Sequence, residues 1–122
     1  MRVQTSPSDR AARVELFGEL DLASADHLRL TLLQATTMRE LVIVDLADVT
    51  FLDSTIIGLL MAAWKRVTEA DGCFAVTNAE GDVLRTLDLV GLTDLILLDR
   101  LEMPSTLQPE VNALLEPRMN GE

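Results

Sequence analysis

Short apolar runs, β-branched or loosely alternating, are separated along the chain by longer stretches with apolar residues three and four apart, the order expected of strands joined by helices. Val3 to Thr5 predicts a short first strand, closed by the turn residues Ser6-Pro7-Ser8-Asp9. Ala12 to Phe17 alternates as a strand with one solvated face does, and Gly18-Glu19-Leu20-Asp21 leads out of it. Ser24 is the expected N-cap of a first helix, with Asp26 in its first turn and Leu28, Leu32 and Ala35 on its apolar face beside Ala25 and Leu33. Leu41-Val42-Ile43-Val44 has apolar residues on both sides, as a central strand covered on both faces does, and ends at Asp45-Leu46-Ala47-Asp48. A loop from Val49 to Asp53 is expected next. The longest helix then runs from Ser54 to Ala70 and stops at Asp71-Gly72, with the glycine in the left-handed position.

Cys73 to Thr77 continues the pattern as a strand. A third helix is expected from Gly81 or Asp82 to Val90, with Val83, Leu84, Leu87 and Val90 on one face and Gly91 as its stop. Leu95 to Leu98 reads as a last short strand, and Pro109 opens a final helix carrying Val111, Leu114 and Leu115. Strand and helix in alternation imply one α/β domain over residues 1–116, a mixed four- to five-stranded sheet with helices mainly on one face, followed by a flexible tail at 117–122.

Charge narrows the partners. Ten Lys and Arg stand against twenty Asp and Glu, a net charge of −10, and no basic cluster is set apart, so nucleic acid and anionic membrane surfaces are not expected to bind. The apolar run from Thr55 to Trp64 stops at Lys65, short of the roughly 20 residues that a spanning helix requires. No secretory pattern opens the chain and Cys73 is the lone cysteine, which points to a cytoplasmic protein without an intrachain disulfide.

The sequence offers little to catalysis. It has no glycine-rich phosphate loop, no Cys-x-x-Cys and no nucleophile elbow; its one histidine, His27, falls on the solvent side of a helix. Asp45, Asp48 and Asp53 read as strand-end acids that cap and solvate. Neither a metal site nor a cofactor is expected, and the chain is read as a binding module with no catalytic residue. Asp53-Ser54-Thr55, by contrast, sits at a loop-to-helix junction, where unpaired N–H groups and the helix dipole stabilise an anion. Two readings stay open on local chemistry: Ser54, Asp53 or Thr55 is simply the helix cap, or Ser54 is a phosphorylation site whose charge of about −1.5 to −2 the helix terminus accommodates. On the helix that follows, Ile56, Leu60, Ala63 and Val67 make one apolar stripe, and Ile57, Met61 and Trp64 make a second about 100° away. Either both are core, or the second is exposed and docks a partner.

These features resemble the STAS-domain family, and within it the bacterial anti-sigma-factor antagonists, over roughly Arg13 to Leu98. Gly18-Glu19-Leu20-Asp21 is similar to the family's motif after its early strand. Val44-Asp45-Leu46 through Phe51-Leu52-Asp53-Ser54-Thr55 is similar to its strand, loop and phosphoacceptor turn. Leu84-Arg85-Thr86-Leu87-Asp88-Leu89-Val90-Gly91-Leu92 resembles its helix ending in Gly-Leu. The resemblance implies a phosphoacceptor at Ser54 and a partner-binding surface made of Asp21, Asp53, Thr55, Ile56, Ile57, Gly58 and Met61. It implies as partner an anti-sigma factor that is also a serine kinase, with ATP bound to that partner, and a serine phosphatase that reverses the modification.

Ile56-Ile57-Gly58 departs from the family's usual Gly-Leu-Gly after the phosphoacceptor turn, and the β-branched Ile56 is expected to crowd an approaching kinase. The alternative is an accessory STAS subunit of a transport or stressosome complex in which Ser54 only caps its helix.

Overall fold

The computed structural model describes residues 1–37, 39–100 and 103–115; the tail expected at 117–122 lies outside the described residues. Four strands form one sheet in the order β1-β2-β3-β4: β1 (Arg2–Thr5), β2 (Ala11–Leu20), β3 (Leu41–Leu52) and β4 (Cys73–Thr77). β1 runs antiparallel to β2, and the other pairs are parallel, so the sheet is mixed. The helices α1 (Ala25–Thr36), α2 (Ser54–Glu69) and α3 (Gly81–Leu89) cover one face through an apolar core that includes Val14, Val44, Leu28, Ile56, Leu60, Phe74 and Leu87. The short helix α4 (Thr93–Ile96) follows α3, and α5 (Gln108–Leu115) lies on the opposite face over Ala11, Leu41 and Ile43. The apolar run at 41–44 is fully buried in β3, as its continuous hydrophobicity requires of a strand with both faces covered.

The structure departs from the expected elements at four places. β3 continues to Leu52 instead of ending near Asp48, so Asp45 and Asp48 are strand residues and the expected loop is sheet. Two register shifts allow this: β3 carries one extra residue between the pairs Glu15↔Asp45 and Phe17↔Asp48, and another between Gly18↔Val49 and Glu19↔Phe51. The bulges break the alternation that would have marked a strand.

The predicted last strand at 95–98 is instead the helical turn α4, followed by a 3₁₀ turn at Leu98–Arg100, with Leu97 making one isolated parallel bridge to Val76. Leu92 and Ile96 are both buried, a four-residue spacing that helical geometry satisfies, and Thr93 fixes the turn by donating its hydroxyl to Asp88 at 2.9 Å. Gly72 is not the left-handed residue after α2; Asp71 takes that conformation, with φ 63°. Glycine is required at 72 by space, since a Cβ there would lie 2.8 Å from Val67 Cγ1 and 3.0 Å from the Glu40 carbonyl oxygen. Ser24 makes no side-chain cap; Asp21 caps the 3₁₀ turn Leu22–Ser24 that precedes α1, accepting from the Ala23 N–H.

Candidate functional site

The parallel pairing of β2 with β3 builds the site. Leu20 and Leu52 are register partners at the ends of their strands, so the residues that follow, Asp21 and Asp53, emerge side by side, joined by the Asp53 N–H donating to the Leu20 carbonyl at 3.1 Å. Gly18 turns β2 toward this position with φ 76°, a left-handed conformation costly for other residues, which accounts physically for glycine in the Gly-Glu-Leu-Asp segment.

Asp53 is the N-cap of α2. Its extended backbone (φ −93°, ψ 175°) lets the carboxylate accept from the Ile56 N–H at 3.1 Å, while its carbonyl accepts from Ile57. Of the three residues that could cap the helix, Asp53 therefore does so, and Ser54 is the exposed first residue of the helix. Its hydroxyl stands where the free N–H groups and the dipole of α2 favour an anion.

The next turn separates the remaining candidates. Thr55 is half-buried, and Gly58, one turn beyond Ser54, is exposed. Ile56 is completely buried and Ile57 is 8% exposed; both side chains point into the core. The expected crowding by Ile56 is thus corrected: in a helical backbone its branched side chain faces inward and leaves the outer surface clear. The second apolar stripe divides the same way, with Ile57 in the core, Trp64 half-buried against it and Met61 exposed at 44%. Around the site lie exposed Leu22 and Phe51. His27 is exposed on α1, where it lines an open hollow of about 320 Å³ with Phe17, Leu20 and Ser24.

Sequence reasoning missed one polar centre. Asp45, 3% exposed, is held on the outer face of the sheet by the Arg13 guanidinium; its other oxygen accepts from the Ala47 N–H at 2.9 Å and from the Asn78 amide at 3.1 Å. Arg13 also lies 3.9 Å from Glu15, the register neighbour of Asp45, so one cation serves two adjacent carboxylates. Burial pushes the Asp45 carboxyl up, but the hydrogen bonds from Arg13, Ala47 and Asn78 together outweigh it and hold the group below its ordinary value of 3.8. A group that titrates lower when folded contributes stability above its unfolded pKa and loses that contribution as the pH falls through its folded one. The urea midpoint is expected to fall on acidification below about pH 4, and less steeply in Asp45→Asn. Equal slopes for the two proteins would show that Asp45 is not the group responsible. The signal available in the sequence was Arg13 placed two residues before Glu15 in a strand with polar outer positions.

Among the described residues no group of three His, Cys, Asp or Glu is arranged to hold a metal ion, and no helix is long and apolar enough to cross a membrane.

A paired two-strand end delivering two aspartates, one of them capping a helix whose exposed first residue is a serine, defines a helix-terminus site on an α/β module. The STAS domain family matches residues 2–112, and the chain belongs to that family. The chain is 32% identical over 105 residues to the anti-sigma F factor antagonist of Paenibacillus polymyxa, covering 84% of this chain and 83% of that protein. It is 28% identical over 96 residues to the anti-sigma-B factor antagonist of Bacillus subtilis strain 168, covering 79% and 88%. Its fold is similar to that of the Bacillus cell fate determinant SpoIIAA in the phosphorylated form, with a TM-score of 0.65 at 18% identity over 79% of this chain and 87% of the other.

Proposed function

We propose that the chain is a cytoplasmic anti-sigma-factor antagonist, a binding module that captures an anti-sigma-factor serine kinase and is switched off when that kinase phosphorylates Ser54. The placement of Ser54 carries the reading: it is exposed, opens α2, and directly follows Asp53, which the paired strand ends set beside Asp21. The contact surface is Asp21, Asp53, Ser54, Thr55, Gly58 and Met61, with Ile56 and Ile57 supporting it from the core. In the free protein the N-terminus of α2 accommodates the phosphate. In the complex the same dianion loses its water against Asp21 and Asp53 and meets an acidic kinase site on the partner, and the repulsion there ejects the partner. ATP is bound by the partner, and a serine phosphatase restores binding. Incubation with the cognate kinase and ATP is expected to add one phosphate by mass spectrometry to wild type and none to Ser54→Ala. A Ser54→Ala protein that still gains a phosphate, or a wild type that gains none, overturns the assignment.

Gly58 gives an independent check on the surface. A Cβ there would meet nothing within 4 Å, so nothing in the isolated chain demands glycine in this helix interior. Gly58→Ala is expected to raise stability by about 0.5–1 kcal/mol through helix propensity and yet to weaken partner binding, because the methyl group projects into the contact. Tighter or unchanged binding, measured by titration calorimetry, would remove this face from the interface.

A further inference from the structure

We propose that residues 103–115 form a strap that lifts off the outer face of the sheet as a unit while the sheet and inner helices stay folded, with Arg13 as its latch. The strap has a core of its own. Leu107 and Leu114 are buried on Ala11, Leu41 and Ile43, with Met103, Val111, Leu115 and Cys73 partly buried around them, and this cluster is separated by the sheet from the core beneath α1, α2 and α3. The strap is not paired to any strand. Its polar ties are side-chain bonds: the Ser8 and Ser6 hydroxyls to the Glu110 carboxylate, Arg10 Nη1 to the Thr106 carbonyl at 3.4 Å, and Arg13 Nη1 to the Leu114 carbonyl at 3.1 Å.

Each tie can open without stranding a charge. When Arg13 releases Leu114 it keeps Asp45, Glu15 and Gln4, and when Arg10 releases Thr106 it keeps Glu40. Glu110 passes from hydroxyls to water. The cost of opening is therefore mainly the exposure of a small apolar cluster, well below that of opening the inner core. An eight-residue helix is not stable alone in water, so α5 unwinds as it leaves and its amides exchange together. What it uncovers is an apolar row, Ala11, Leu41 and Ile43, on strands whose backbone bonds remain satisfied within the sheet, flanked by Arg10 and Arg13. The fold thus keeps a second apolar surface, on the face away from Ser54's helix, that is available only when the strap is off.

Native-state hydrogen exchange on the full chain tests this. The amides of Asn112–Leu115 are expected to exchange at least 100-fold faster than those of Val42–Val44, with little response to sub-denaturing urea, whereas the sheet amides respond steeply because they require exposure of the whole core. Val44→Ala, which weakens the inner core in both the closed and strap-open states, is expected to speed sheet exchange at least tenfold and leave strap exchange unchanged. Arg13→Lys, which keeps a counter-charge for Asp45 but loses the fork that reaches Leu114, is expected to speed strap exchange at least fivefold. Equal rates and equal urea dependence for the two sets of amides, or a strap that accelerates with the sheet in Val44→Ala, would make the protein a single cooperative unit and overturn the strap. Unchanged strap exchange in Arg13→Lys would remove Arg13 as its latch.

Discussion

Arg13→Leu is expected to lower the free energy of unfolding by about 3–5 kcal/mol, a large share of what a domain of this size possesses. The pair it breaks is buried on the acidic side, where the Asp45 side chain is 4% exposed. Removing the guanidinium leaves that carboxylate beside Glu15 with only the Ala47 N–H and the Asn78 amide to compensate it. Most of the cost is the uncompensated buried charge and little is the attraction itself. The double variant Arg13→Leu/Asp45→Leu is accordingly expected to recover most of the loss. Urea unfolding of the three proteins measures both numbers. A loss below about 1 kcal/mol in the single variant would mean that solvent screens the pair as it does at a surface.

Ser54→Asp is expected to fold as well as wild type and to bind the kinase partner at least tenfold more weakly. The first half follows from the dipole of α2, which favours a carboxylate in its first turn. Because Asp53 supplies the cap, Ser54→Ala also costs little, less than about 0.5 kcal/mol, and retains full affinity. The second half is electrostatic. Two like unit charges about 4 Å apart repel by about 4 kcal/mol at an effective dielectric of 20, and 1.4 kcal/mol already changes affinity tenfold. Calorimetric titration of the two variants separates charge from the mere loss of a hydroxyl, since both lack it and only one is charged. Equal affinities for the two would place Ser54 outside the contact.

Periodicity made the inner half of the fold legible. Apolar spacing placed α1, α2 and α3, the continuous run at 41–44 marked the strand at the centre of the sheet, and the Asp53-Ser54-Thr55 junction lay where the helix does begin. What stayed hidden depends on partners far apart in the chain. The length of β3 rests on two bulges that the pairing with β2 absorbs, and the role of Asp45 rests on Arg13, 32 residues away in sequence. The run at 95–98 was ambiguous because four apolar residues satisfy a strand and a helical turn equally well; Thr93 and Asp88 decided for the turn. At the site, local pattern named the right segment but not the division of labour. Only backbone geometry shows that Asp53 caps while Ser54 is exposed, and that Ile56 and Ile57 face inward while Gly58 and Met61 do not.

The switch at Ser54 shows most directly in the affinity of one protein in two states. Wild type is to be titrated calorimetrically against its cognate kinase, first unmodified and then after stoichiometric phosphorylation at Ser54 verified by mass spectrometry. The prediction is binding that weakens at least tenfold on phosphorylation and returns on phosphatase treatment, with the melting temperature of the free protein unchanged or raised by the anion at the start of α2. Unchanged affinity after full phosphorylation would contradict it.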